Sequence, residues 1–193
     1  MRQGDAVVMA GGKSSRMGQD KALMAFGGYS TLAEYQYRKL EPLFARVWLS
    51  AKSDKFPFDA PLIRDRHAIA SPLGALASIL ETIERDEVFL LSVDMPGIDA
   101  QLIARLRAAA RSHPDAQAIV SRSPSGREPL CAIYRPSALE PITAMLHANN
   151  HRLNDLLDRL KVIDLVCKRQ EIFLNLNTPD AYATAVKRFG QHP

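Results

Sequence analysis

The chain of 193 residues is 47% apolar and 24% charged, a balance that supports one globular domain spanning residues 1–193 with a core of its own. Its formal net charge of +4 comes from basic residues scattered between Arg16 and Lys187 and not from a tract, which argues against a nucleic-acid partner and for small anionic ligands gathered in a cleft. No apolar run approaches the roughly 18 residues of a membrane span, and the two cysteines, Cys131 and Cys167, lack zinc or redox spacing and read as buried free thiols, so a cytoplasmic protein without membrane contact is expected.

In chain order, Val7-Val8-Met9-Ala10 is a continuous apolar run ending in Gly11-Gly12, the pattern of a fully buried strand that feeds a loop. Thr31 to Phe44 carries Leu32, Tyr35, Leu40 and Leu43 at helical spacing, with Thr31 as the N-cap. A second strand covers Arg46 to Ala51. Ser71-Pro72 opens a helix that runs to Ile83, because proline fits a first helical turn. Val88 to Val93 is the next apolar strand and stops at Asp94-Met95-Pro96. A helix over Ile98 to Arg111, strands over Ala118 to Ser121 and Leu130 to Tyr134, and a helix over Ala138 to His147 complete the alternation. Alternating strands and helices imply right-handed crossovers, hence an α/β fold: a doubly wound, mostly parallel sheet with helices on both faces. Such sheets bind ligands beyond the C-terminal ends of their strands.

The segment from Ala10 to Lys21 is the most informative one. Gly11 and Gly12 let backbone amides approach an anion, and Lys13, Arg16 and Lys21 supply positive charge to neutralise a triphosphate and the pyrophosphate that leaves it. Two familiar phosphate motifs fail on spacing. A P-loop needs a glycine where Val7 stands, and a dinucleotide fingerprint would need glycines in place of Ser14 and Met17.

Val8-Met9-Ala10-Gly11-Gly12-Lys13-Ser14-Ser15-Arg16-Met17-Gly18, followed by Asp20-Lys21-Ala22-Leu23, resembles the signature of molybdenum cofactor guanylyltransferases of the MobA type. The resemblance continues through Leu91-Ser92-Val93-Asp94-Met95-Pro96, Glu128-Pro129-Leu130 and Asn175-Leu176-Asn177-Thr178-Pro179, and so covers essentially the whole chain. It implies a Rossmann-like nucleotidyltransferase fold. The Gly-x-x-x-Arg-Met element alone is shared by many nucleotidyltransferases, while the cytidylyl relatives usually carry Ala-Gly in place of Gly11-Gly12.

Asp94 ends the strand over Val88 to Val93, where an open sheet places its ligands, and by resemblance it is the Mg²⁺ ligand. The resemblance makes Arg16, Lys21 and Asp94 the catalytic residues. It also implies that the nucleotide is held by the backbone of Met9, Ala10, Gly11 and Gly12, by Lys21, by Ser50 at the end of the second strand and by Asp65, whose carboxylate can accept from guanine's ring N–H and amino group. Asn175 and Asn177 would share one face if their segment is a strand, and the resemblance assigns them to the pterin and metal side; the pair can equally serve as the start of a final helix. Arg127 and Arg152 are both candidates to meet the acceptor's phosphate. The five histidines show no metal spacing.

The expected reaction is GMP transfer from GTP to the terminal phosphate of molybdopterin, with transient contacts to the proteins that deliver and receive the cofactor. Cytidylyl or sugar-phosphate transfer, or a nucleotide-binding module without catalysis, are the alternatives.

Overall fold

The computed structural model describes residues 4–11, 20–67 and 71–190. A seven-stranded sheet runs in the order β3-β2-β1-β4-β6-β5-β7, with β1 Asp5–Met9, β2 Arg46–Ala51, β3 Leu62–Arg64, β4 Val88–Ser92, β5 Ala118–Ser123, β6 Gly126–Tyr134 and β7 Val162–Val166. All neighbours pair in parallel except β6, which runs antiparallel to both β4 and β5. The expected doubly wound, mostly parallel α/β architecture is therefore present.

β1 and β4 lie at the centre with every residue buried, as their uninterrupted apolar runs require. Alternate side chains feed two cores: Ala6, Val8, Phe89 and Leu91 pack under α1 (Leu32–Leu40), α3 (Ala100–Ser112) and α6 (Pro179–Phe189). Val7, Met9, Val88 and Leu90 face α2 (Pro72–Thr82), α4 (Leu139–His147) and α5 (Leu153–Leu157) on the other side. The caps follow the sequence. Thr31, Ser71, Asp99 and Thr178 each accept a backbone N–H of the first turn they precede. No helix among the described residues is long and apolar enough to cross a membrane.

Three local expectations need correction. α1 stops at Leu40 and not at Phe44, because Pro42 has no N–H to donate to the carbonyl one turn back. β3, α5 and β7 escape the periodicity reading because β3 is a three-residue edge strand, α5 barely exceeds one turn, and β7 is only half-buried. The segment carrying Asn175 and Asn177 is not a strand: Asn177 N–H bonds back to Asn175 O at 2.9 Å, a tight turn centred on Leu176, so the two side chains do not share a strand face.

Candidate active site

β1, β2, β3 and β4 end at the same pole of the sheet. Val93 N–H donates to Met9 O at 3.0 Å, and Ala10 N–H donates to Ser50 O at 2.9 Å, which locks the exits of these strands side by side. Gly11 follows directly. A Cβ there would meet only Ala51 Cα at 3.5 Å and Ser50 O at 3.7 Å, ordinary contacts, so packing among the described residues does not demand a glycine. Gly12 and Arg16, together with Lys13, lie outside the described residues.

The described chain resumes at Asp20, whose carboxylate caps the short 3-10 turn Lys21–Leu23 by accepting Ala22 N–H at 3.0 Å. Lys55, from the loop after β2, pairs with the same carboxylate and donates to Ala10 O at 3.2 Å. Ala10 and Asp20 are thus tied to one ammonium group. Held in this way, Lys21 sends its Nζ to Asn177 Oδ1 at 2.6 Å and to Asp94 Oδ2 at 3.4 Å. Lys21, Asp94 and Asn177, separated by up to 156 positions in sequence, form one cluster.

Asp94 is oriented from several directions. Ser92 Oγ donates to Asp94 Oδ1 at 2.6 Å, and Leu176 N–H donates to Asp94 O at 3.0 Å. Gly97, three residues on, touches the turn Gln170–Phe173 so closely that a Cβ would sit 2.8 Å from Ile172 O and 3.0 Å from Ile172 Cα. The loop after β4 is therefore pressed against the Gln170–Phe173 turn and hydrogen-bonded to the Asn175–Asn177 turn. Asn177 joins the cluster through its carbonyl oxygen, whereas the Asn175 amide turns back to Phe173 O at 3.5 Å.

Asp65 follows β3, with its N–H on Ala51 O at 3.3 Å. Its Oδ1 accepts His67 N–H at 3.0 Å and faces the buried Ser78 hydroxyl of α2 at 3.5 Å; neither Arg64 nor Arg66 is its partner. Ser50 is buried at the end of β2, beside Met9 in the register. Both stand on the β2–β3 flank of the same pole, while Lys21, Asp94 and Asn177 stand over β1 and β4.

The structure separates the two acceptor-side arginines. Arg127 is engaged with Asp164, Nε to Oδ1 at 2.8 Å and Nη2 to Oδ2 at 3.1 Å, and also with Asp158 at 3.1 Å. Arg152 is exposed at the start of α5. Beside them, burial pushes the Glu128 carboxyl up, partly opposed by the hydroxyl of Ser123 at 2.8 Å. Burial likewise raises the Cys131 thiol to about 12, and Cys131 and Cys167 are both free and buried, as their apolar flanks suggest.

Sequence reasoning passed over Ser92 and Lys55. Ser92 was legible in principle, since Ser92-Val93-Asp94 places a hydroxyl two residues before the carboxylate at a strand end. Lys55 left no signal because its partners are set by how the β2–β3 loop folds back. Among the described residues no group of three or more His, Cys, Asp or Glu side chains is assembled for a metal. Asp94, with the Asn177 carbonyl and Ser92 hydroxyl beside it, instead offers a sparse all-oxygen set. That chemistry fits Mg²⁺, which takes one or two carboxylates and completes its shell from substrate phosphates and water.

A family model described as the MobA-like NTP transferase domain matches residues 6–163. The molybdenum cofactor guanylyltransferase of Campylobacter jejuni subsp. doylei is 33% identical over 181 residues, which cover 92% of this chain and 93% of that protein. The Helicobacter pylori (strain P12) protein of the same name is 31% identical over 187 residues, covering 94% and 90%. Among solved structures, molybdopterin-guanine dinucleotide biosynthesis protein A of Archaeoglobus fulgidus superposes with a TM-score of 0.80 at 20% identity, covering 95% of this chain and 97% of that one. A 2-C-methyl-D-erythritol 4-phosphate cytidylyltransferase from Thermus thermophilus gives a TM-score of 0.73 at 16% identity, with 97% and 98% covered. These two structural likenesses are likenesses of fold.

Proposed function

The chain belongs to the MobA-like NTP transferase family, and from that premise we propose that it transfers GMP from GTP to the terminal phosphate of the molybdopterin form of the molybdenum cofactor, giving the guanine dinucleotide cofactor and pyrophosphate. The names of its relatives from Campylobacter and Helicobacter supply the substrates of this reading. The observation that carries it is the cluster in which Lys21 Nζ bridges Asp94 and Asn177 at the strand ends, where an open sheet receives ligands.

In this reading an oxygen of the acceptor's phosphate attacks the α-phosphorus of GTP. A new P–O–P link forms, the bond to the β-phosphate oxygen breaks, and its electron pair leaves with pyrophosphate. The acceptor phosphate is already anionic at neutral pH, so no protein nucleophile is required and the chain's task is to align the reactants and offset charge. The family resemblance assigns Gly11, Gly12 and Arg16 to the triphosphate. Lys21 balances charge on the phosphates, and Asp65 and Ser50 stand on the base side. Asp94, assisted by Asn177 and Ser92, would hold Mg²⁺, whose contribution when bound is to neutralise the phosphate oxygens and favour departure of pyrophosphate. Cytoplasmic residence and brief contacts with cofactor-delivering and cofactor-accepting proteins belong to the same proposal.

The test is a panel of initial rates with GTP, CTP, ATP and UTP at equal concentration, with magnesium and molybdopterin, read as pyrophosphate release. Two guanine hydrogen bonds lost in a shielded site cost on the order of 2 kcal/mol or more, so at least tenfold preference for GTP is expected. Faster turnover with CTP would move the chain to the cytidylyl branch.

A further inference from the structure

Gln36 is a residue of α1 whose chemistry conflicts with its position. It lies in the helix face that packs on the sheet among Leu32, Ala33 and Leu40, and it is 0% exposed. A buried carboxamide is costly unless its groups are paired. Here only half of it is. The amide nitrogen, Nε2, donates to Ser92 O at 3.3 Å and Val93 O at 3.2 Å, while Oε1 is buried without a partner among the described residues. Two carbonyl acceptors demand the NH₂ end, so flipping the amide would not relieve the stranded oxygen.

Ser92 and Val93 are the residues immediately before Asp94. The ladder between β4 and β6 ends at Leu91 opposite Cys131; beyond it Ser92 O accepts Met95 N–H at 3.3 Å as well as the Gln36 amide, while Gln36 is the donor found for Val93 O among the described residues. One helical turn further along α1, Lys39 Nζ donates to Pro96 O at 2.9 Å, two residues beyond Asp94. The Asp94 turn is thus bracketed by side chains from α1, while Met9 O and Leu176 N–H hold it from the sheet and from the Asn175–Asn177 turn.

We infer that Gln36 is a positioning residue for the reaction, which fixes the Asp94 turn through the carbonyls of Ser92 and Val93 at a cost in stability borne by its own unpaired oxygen. The inference rests on the proposed role of Asp94. It separates cleanly from a packing role. A packing residue replaced by methionine, close in length and fully apolar, would change stability and leave turnover alone. A positioning residue would lose more turnover than any lost folded fraction explains, since methionine removes both the stranded oxygen and the donor to the two carbonyls, and these effects on stability oppose each other.

The experiment is Gln36→Met in the full chain, read three ways. Pyrophosphate release from GTP should fall roughly tenfold in kcat with KM for GTP within about twofold, the effect of a small displacement of an oriented group. The melting temperature should move only slightly, because loss of the stranded oxygen offsets loss of the bonds donated to the two carbonyls. Amide hydrogen exchange at Leu176, bonded to Asp94 O, and at Val93, bonded to Met9 O, should quicken by about tenfold or more as the turn loosens. Wild-type kcat with wild-type exchange at both amides overturns the inference. So does a loss of kcat no larger than the lost folded fraction. If Gln36→Met does not fold, Gln36→Leu is read by the same three measures and overturns the inference by the same outcomes. Should the unaltered chain release no pyrophosphate from GTP with its acceptor, the functional reading fails, and the exchange rates alone decide whether Gln36 holds the turn.

Discussion

The turn after β4 and the hairpin joining β5 to β6 lie at the same pole of the sheet and use the same stock of carboxylates, cations and hydroxyls. In the hairpin region the charges satisfy one another: Arg127 grips Asp164 through two nitrogens and Asp158 through a third, and Arg122 adds a longer contact to Asp164 at 3.5 Å. In the β4 turn the carboxylate of Asp94 is oriented by the Ser92 hydroxyl and its backbone carbonyl by Leu176 N–H, and its cation, Lys21, sits nearer to the neutral Asn177 than to Asp94 itself. Matched charges of the first kind build a corner of the fold. A carboxylate aimed by a neutral hydroxyl and set at 3.4 Å from its lysine keeps more of its charge for a ligand, which is why the catalytic proposal rests on the turn.

The sharpest way to break this contrast is Asp94→Asn, which keeps the shape and removes the charge. Turnover should fall by roughly 10³-fold and the melting temperature should move little; Lys21→Met should follow at roughly 10²-fold. Retained pyrophosphate release in Asp94→Asn would erase the distinction between the two regions.

Gly97→Ala tests whether the turn depends on being pressed against its neighbours. Its new methyl would meet backbone at Ile172, which cannot rotate away, so a loss of about 1–3 kcal/mol in denaturant unfolding is expected, with reduced kcat. An alanine variant as stable and active as the parent would show that the loop has slack.

Arg127→Met addresses the hairpin side. Its partners are partly exposed, so the loss should be roughly 1 kcal/mol or less, with kcat unchanged. A large rise in KM for the pterin acceptor would instead return Arg127 to the acceptor site.

The smallest effect concerns Glu128, a carboxylate of this region held by burial and by the Ser123 hydroxyl. Its pKa is raised in the folded chain, so the folded state binds the proton more readily and stability is lost as pH climbs through the carboxylate range. Glu128→Gln should therefore match the parent near pH 4 and melt above it at pH 8. A gap that is equal at both pH values would contradict the buried setting.

Reading from sequence reached most of the fold, because β1, β4, α2 and α3 carry periodicity and caps that act locally. It failed at β3, α5 and β7, whose short or half-exposed stretches leave the period undetermined, and at α1, where a single proline outweighed the pattern. At the site, Asp94 and Lys21 were legible from a strand end and a basic loop. Asn177 was legible as a residue but not as a geometry, since the turn at Leu176 replaced the strand face expected for it. Arg127 and Arg152 were indistinguishable in sequence.

The sequence by itself determined the features that near neighbours along the chain dictate: the buried parallel strands, the helix starts at Thr31 and Ser71, and the concentration of glycine and positive charge after β1. Only the tertiary structure decided which charges are matched to each other and which are kept for a ligand. That choice depends on contacts across the whole chain, such as Lys21 with Asn177 and Gln36 with the carbonyls before Asp94. Hydrogen bonding and charge pairing act over a few ångströms in space, and no spacing along the chain encodes which distant residues the sheet will bring within that range.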